Sequence, residues 1–215
     1  MNNRFKPISD EHTNAIFTVD DDMRVPCTEL SLGYEVWSAN EDNLIGFMPR
    51  IHVMGTHGFQ YRCWWSVWWR GAYSIILTKA SFLHHKYFEL YSIAMPSEIR
   101  EYVDRHRNCE DLAMQFLITN ATSLAPLYIK GHLSDLGALN GISTSQNLLR
   151  AGHMSQRSRC LDDLASFYGT MPLKLSHVIL DSASNQWHNQ PSTWWEYISS
   201  DLWKIYEDSS SRSRP

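Results

Sequence analysis

The stretch NAIFTVDDD (residues 14–22) runs from a β-branched apolar segment straight into three carboxylates. NAIFTV reads as a buried strand. At its end Asp20, Asp21 and Asp22 each raise the cost of ionising the next, so a cation or a set of hydrogen-bond donors must sit among their oxygens. Hard divalent metals take oxygen ligands and commonly bind one or two carboxylates plus substrate phosphates. One reading is therefore a Mg²⁺ or Mn²⁺ site that holds a diphosphate. The other is a turn or helix-capping cluster, for which Asp is equally suited.

Working outward, CTELSLGYEVWSAN (27–40) follows Pro26 with Leu30, Tyr34 and Trp37 at helical spacing, giving strand, acidic loop and helix in succession. NLIGFM (43–48), AYSIILT (72–78) and LYIKG (127–131) read as strands. PSEIREYVDRHR (96–107) and NCEDLAMQFLI (108–118) read as two helices. The junction NCED sits at a helix start, where free backbone N–H groups favour carboxylates. GFQYRCWWSVWWRG (58–71) fits no single period. Residues 131–152, rich in Gly, Ser and Asn, read as a mobile loop. Residues 155–168 read as a helix stopped by Gly169, and PLKLSHVIL (172–180) as a last strand. Strands alternating with helices predict an α/β fold with a mainly parallel sheet. Ligands in such sheets sit outside the carboxyl ends of the strands, which is where Asp20 to Asp22 fall. Beyond about Ser182 the composition shifts to Trp, Ser and Arg; residues 193–208 have the pattern of a short amphipathic helix, and SSSRSRP (209–215) that of a disordered end.

The chain has 215 residues, 43% hydrophobic and 20% charged, with a net charge of -4. That balance supplies no basic groove for nucleic acid and no general attraction to an anionic surface. Nine Trp and ten Tyr are more than an ordinary core requires; such rings recur where flat apolar faces meet polar ligands, sugars among them, and also simply fill cores. No run of 18 or more apolar residues is present, and MNNRFKPISDEH lacks the apolar core of a signal peptide. Cys27, Cys63, Cys109 and Cys160 fit no CxxC pattern and are either reduced core thiols or one or two disulfides. His52, His84, His85 and His153 are metal-ligand candidates only in principle.

Taken in order, NNRF (2–5), NAIFTVDDD (14–22), LSLGYEVW (30–37), LIGFMPRIH (44–52), YSIILTKASFLHHKYFELY (73–91), NCEDLAMQFLI (108–118), RAGHMSQRSRC (150–160) and YGTMPL (168–173) resemble the exostosin-type domain of glycosyltransferase family 64, from residue 1 to about 181. That family comprises retaining, nucleotide-sugar-dependent enzymes that add N-acetylhexosamine during heparan sulfate synthesis, together with plant and other relatives. The resemblance implies a GT-A-like α/β/α sandwich with a mostly parallel mixed sheet and a 182–215 tail outside the domain. It implies transfer of N-acetylhexosamine, GlcNAc first, from a UDP-sugar to a glycan acceptor. The DDD segment is similar to the family's DXD motif, so Asp22, with Asp20, would ligate Mn²⁺, or Mg²⁺ in its place, while Asp20 and Asp21 contact the water shell or the donor ribose.

By the same resemblance Asn3 and Arg4 bind the nucleotide, Asp111 lies close to the donor sugar with Glu110 beside it, and Arg150 engages the diphosphate from a flexible loop. Cys109 pairs with Cys160, which implies an ER or Golgi lumen, and Cys27 and Cys63 stay free. Full-length members are membrane-anchored, but this sequence carries no signal or anchor, and a related subunit is an allowed partner. Trp64, Trp65, Trp68 and Trp69 are candidates for stacking on an acceptor sugar, and Asn120 opens a glycosylation sequon. The family places a strand–helix–strand unit ahead of NNRF; its absence from this sequence leads us to expect a truncated catalytic domain, the alternative being a non-catalytic remnant that binds glycan or a partner subunit.

Overall fold

The structure is a computed structural model that describes residues 2–7, 13–136 and 147–181, and of residues 147–151 the backbone only. Contacts divide the chain into Met1–Leu180 and Asp181–Pro215; the fold described is that of the first unit, and the expected tail over 182–215 lies outside the described residues.

NAIFTV forms strand β1 (Ala15–Val19), and α1 (Cys27–Ser38) follows the acidic turn and a two-residue strand β2 (Met23–Arg24). After β3 (Ile45–Gly46) the chain makes a hairpin, β4 (Pro49–Gly55) and β5 (Gly58–Arg62), a short helix α2 (Trp64–Arg70), β6 (Ile75–Ile76) and β7 (Ala80–His84). Helix α3 (Lys86–Glu89) runs into a π-turn at Leu90–Ala94, followed by α4 (Ser97–His106) and α5 (Glu110–Thr122). Strands β8 (Leu127–Lys130) and β9 (Ser134–Asp135), helix α6 (Asn147–Tyr168) and β10 (Ile179–Asp181) complete the order.

The main sheet has the order β1-β7-β3-β8-β10. It is mixed, as an α/β fold of this kind allows, but it is not mostly parallel: β1 and β3 both pair antiparallel with β7, while β3 pairs parallel with β8. The strand that reverses the balance, β7, was not anticipated, because ASFLH is buried on both faces and has no alternation. Phe82 points to one side of the sheet, where it meets Trp37 of α1, Phe47 and Ile129. Leu83 points to the other, among Tyr87, Leu112 and Phe116. Helices thus cover both faces in an α/β/α arrangement.

Other expectations shift in extent. Of AYSIILT only Ile75–Ile76 is strand, and of PLKLSHVIL only its end enters β10. Pro172 removes a donor, and Ser176 pairs its backbone with Tyr73 in an isolated bridge instead. The aperiodic stretch 58–71 resolves into β5 and α2, two elements with different periods. The segment 131–152, read as a loop, contains β9 and the first turns of α6.

Where β3 crosses the sheet, Gly46 is packed so closely that a Cβ would lie 2.6 Å from the Ala80 carbonyl oxygen and 2.8 Å from the Ser81 Cβ. Both obstacles belong to the sheet itself and cannot turn aside. We expect Gly46→Ala to cost about 1–3 kcal/mol of stability, measured by urea unfolding; a neutral change would mean that the strand spacing adjusts freely.

Candidate functional site

At the end of β1 the Asp20 N–H donates to the Lys79 carbonyl at 3.0 Å, and the turn closes with Met23 N–H on the Asp20 carbonyl at 3.1 Å. Arg4 Nη1 lies 2.6 Å from Asp20 Oδ1, and its other terminal nitrogen donates to the Thr78 carbonyl. Lys79 Nζ bridges Asp22 Oδ2 and Asp135 Oδ1 at 3.0 Å each. Asp21 faces water. The three carboxylates therefore coexist because one has Arg4, one has Lys79 and one has solvent. Burial still pushes the Asp20 carboxyl above its ordinary range against the pull of Arg4. Burial also draws Lys79 down, but Asp135 and Asp22 together outweigh it and its pKa is raised. One acceptor stays unmatched: Asp22 Oδ1 is buried without a hydrogen-bond partner.

NNRF delivers Arg4. The segment is a short 3-10 turn (Asn2–Phe5) anchored by the fully buried Phe5 between Phe88 and Tyr91. Asn2 holds the turn down, receiving the Tyr91 hydroxyl at 2.7 Å and donating to the Arg100 carbonyl at 2.7 Å. Asn3, expected to bind the nucleotide, is exposed.

At the start of α5, Asp111 is 7% exposed and both of its oxygens are engaged: Oδ2 by Arg157 Nη2 at 2.6 Å and Oδ1 by the Leu112 N–H at 2.8 Å. Burial pushes this carboxyl up, but Arg157 and the amide outweigh it and its pKa is lowered. Glu110 is half-buried and shifts the other way, raised first by burial and then by the Asp111 charge. Arg157 also contacts Asn108 Oδ1 at 3.3 Å and lies over the Tyr61 ring at 4.5 Å. Two residues ahead of Asp111, Cys109 adopts a left-handed backbone (φ 73°) and is bonded to Cys160. A non-glycine residue held there is a local cost concentrated at the helix start.

Arg4 ties the two halves together, since its charge favours ionisation of Asp20, Glu110 and Asp111 alike. Arg4 and Asp20 are in direct contact, with Asp22 on the same turn, and Glu110 and Asp111 at the start of α5 lie within reach of the Arg4 charge. Arg150 lies in the first turn of α6 rather than in a loop, and its side chain is outside the described residues. Cys27 and Cys63 are free thiols, and Asn120 is exposed in the last turn of α5. His52 bonds Ser74 through Nδ1 at 2.7 Å; burial, then the Arg157 charge, lowers the pKa of His153. Among the described residues no three His, Cys, Asp or Glu side chains form a metal cluster, and no helix is long and apolar enough to cross a membrane.

Sequence reasoning missed Lys79, Asp135 and Arg157. Two left a trace. Val19 registers against Ala80, so a strand at 80–84 would have put Lys79 opposite Asp20. Arg157 stands one helical turn before Cys160, on the face that the cysteine turns toward α5.

Residues 1–185 match the family model described as the glycosyl transferase family 64 domain. The chain is 40% identical over 192 residues to glycosylinositol phosphorylceramide mannosyl transferase 1 of Arabidopsis thaliana, covering 87% of this chain and 56% of that protein. It is 38% identical over 181 residues to exostosin-2 of Homo sapiens, covering 81% and 24%. Exostosin-like 2 of Mus musculus is 32% identical over 200 residues, covering 89% and 60%. The chain thus spans about half the length of the first relative and about a quarter of exostosin-2.

Proposed function

The chain belongs to glycosyl transferase family 64, and from that premise we propose that it transfers a sugar from a nucleotide diphosphate donor to a glycan acceptor. The observation that supports this most is the pairing of Arg4 with Asp20 at the end of β1, with the Arg4 charge felt also by Glu110 and Asp111 at the start of α5. Such a transfer breaks the bond from the anomeric carbon to the β-phosphate oxygen and forms one to an acceptor hydroxyl, whose proton must be removed. Negative charge grows on the departing diphosphate and positive charge at the anomeric carbon. Arg4 and Lys79 are fixed cations beside the leaving group, where preorganised charge is most effective. Asp111, kept ionised by Arg157, stabilises the cationic sugar. Glu110, whose proton affinity is raised, takes the acceptor proton. Arg150 is proposed to reach the diphosphate from the start of α6.

A divalent cation fits at Asp22, because its orphaned Oδ1 is a buried hard acceptor. Asp22 and Asp20 would hold Mn²⁺, or Mg²⁺, with Asp21 at its water shell. When bound, the ion neutralises charge on the leaving diphosphate. The donor proposed first is a UDP-N-acetylhexosamine; a mannosyl donor is the second reading, favoured by the 40% identity to the mannosyl transferase against 38% to exostosin-2 and 32% to exostosin-like 2. The Cys109–Cys160 bridge supports an oxidising, lumenal compartment.

Calorimetric titration of UDP, with Mn²⁺ and then with EDTA, tests the site. We expect metal-dependent binding that falls about tenfold to a hundredfold in Asp22→Asn, with an unchanged circular dichroism spectrum. Equal affinity in EDTA would remove the metal assignment. No UDP binding by a folded chain would favour the non-catalytic reading. UDP-N-acetylhexosamine and nucleotide-mannose donors are then separated by turnover.

A further inference from the structure

Four tryptophans crowd the seven residues of α2, and all four are turned outward: Trp64 is 49% exposed, Trp65 53%, Trp68 60% and Trp69 82%. They pack on one another, Trp64 against Trp65 with centroids 4.3 Å apart and Trp65 edge-on to Trp68 at 5.7 Å. Only Val67 of this helix is buried. On the adjoining hairpin Met54 is 71% exposed. Mutually packed and exposed tryptophans of this kind mark an interaction site, because water penalises them in a free protein.

Charge identifies the occupant. From Asn43 to Phe88 the sequence contains no Asp or Glu, while Arg50, Arg62, Arg70, Lys79 and Lys86 fall within it, in a chain whose net charge is -4. Arg62 and Arg70 flank the tryptophans and line the same shallow groove. Arg62 bonds to Gln60, and among the described residues neither arginine pairs with a carboxylate. Asp162 of α6, which contacts the hairpin, is engaged by the Phe59 N–H at 2.7 Å. Trp rings concentrate at the boundary between lipid headgroups and acyl chains, and arginines beside them meet headgroup phosphates. The groove carries two positive charges and no negative one, a lining that matches an anionic headgroup better than a neutral ligand.

We infer that α2 and its flanking arginines form a docking surface for a bilayer bearing anionic headgroups. The tryptophans enter the interface and Arg62 and Arg70 bind lipid phosphate. The same hairpin packs on the site: the Tyr61 N–H of β5 donates to Ser158 Oγ at 3.0 Å, and its ring lies under Arg157. If the transferase reading holds, docking therefore presents the site to an acceptor carried on lipid. The docking itself does not rest on that reading.

The test is flotation of the 215-residue chain with phosphatidylcholine vesicles, with and without phosphatidylinositol, followed also by tryptophan emission. Donor and turnover are not involved, so its failure is separable from failure of the transferase. We expect binding that strengthens with phosphatidylinositol and shifts emission to the blue. Trp68→Ala with Trp69→Ala should weaken it about tenfold or more on both vesicle types. Arg62→Gln and Arg70→Gln should each weaken it about fivefold on anionic vesicles only. All four side chains are substantially exposed or at the rim, and unchanged thermal melting checks that the variants fold. No vesicle binding by the intact chain would overturn the inference. So would tryptophan quenching by soluble glycan without vesicle binding, or concentration-dependent self-association that the tryptophan variants abolish.

Discussion

Arg157→Met will lower the stability of this chain by about 3–5 kcal/mol at neutral pH, the range found when one partner of a buried ion pair is removed. The two side chains are 7% and 11% exposed and meet at 2.6 Å, so solvent cannot take over for the missing guanidinium. Asp111 would keep the Leu112 amide and lose the partner that offsets its burial. The packing over Tyr61 goes as well. Chemical denaturation at fixed pH measures the loss, and a change below about 1 kcal/mol would show that water reaches Asp111.

The pH dependence follows from the direction of the shift. The folded-state pKa of Asp111 is lowered from its ordinary 3.8, so its pair contributes stability above the unfolded value and loses it as pH falls through the folded one. The wild-type chain should therefore hold this contribution throughout the neutral range and shed it only in strong acid. In Arg157→Met the burial of Asp111 is opposed mainly by the Leu112 amide, the folded pKa rises, and the difference between the two proteins should begin to shrink as pH falls through that raised pKa and go on shrinking down to the lowered pKa of the wild type. A difference that stays constant into acid would assign the loss to packing instead.

Much of the fold was legible because its elements carry strong periods. NAIFTV, CTELSLGYEVWS and NCEDLAMQFLI all appear where their patterns place them. What the sequence hid was β7, whose residues are buried on both faces, and the β4–β5 hairpin, whose alternations Ile51-His52-Val53 and Phe59-Gln60-Tyr61-Arg62 are short and run directly into the tryptophans of α2. The site follows the same division. Asp20, Asp22, Glu110 and Asp111 were visible because carboxylates at a strand end and a helix start are locally conspicuous. Their partners were not, since Lys79 and Arg157 lie 57 and 46 residues away in the chain and become neighbours only through strand register and the contact of α5 with α6. The tryptophans of α2 were visible as composition, but only their exposure separates a surface from a core.

The Cys109–Cys160 bridge accounts for the second large effect. It closes a separation of 51 residues, and loop-closure entropy of that length corresponds to about 4 kcal/mol. Cys109→Ala with Cys160→Ala should lower the melting temperature by roughly 10 °C. Because neither residue carries charge, this loss should be the same at neutral and acid pH, unlike that of Arg157→Met. The two should also fail to add: Arg157 and Cys160 are one turn apart on α6, and both fasten that helix to the start of α5, so releasing one fastening leaves less for the other to hold. If the double cysteine variant instead loses under about 1 kcal/mol, then Leu161 and Leu164 packing among Leu112 and Phe116 is sufficient to hold the helices. In that case the geometry around Asp111 depends on the ion pair alone.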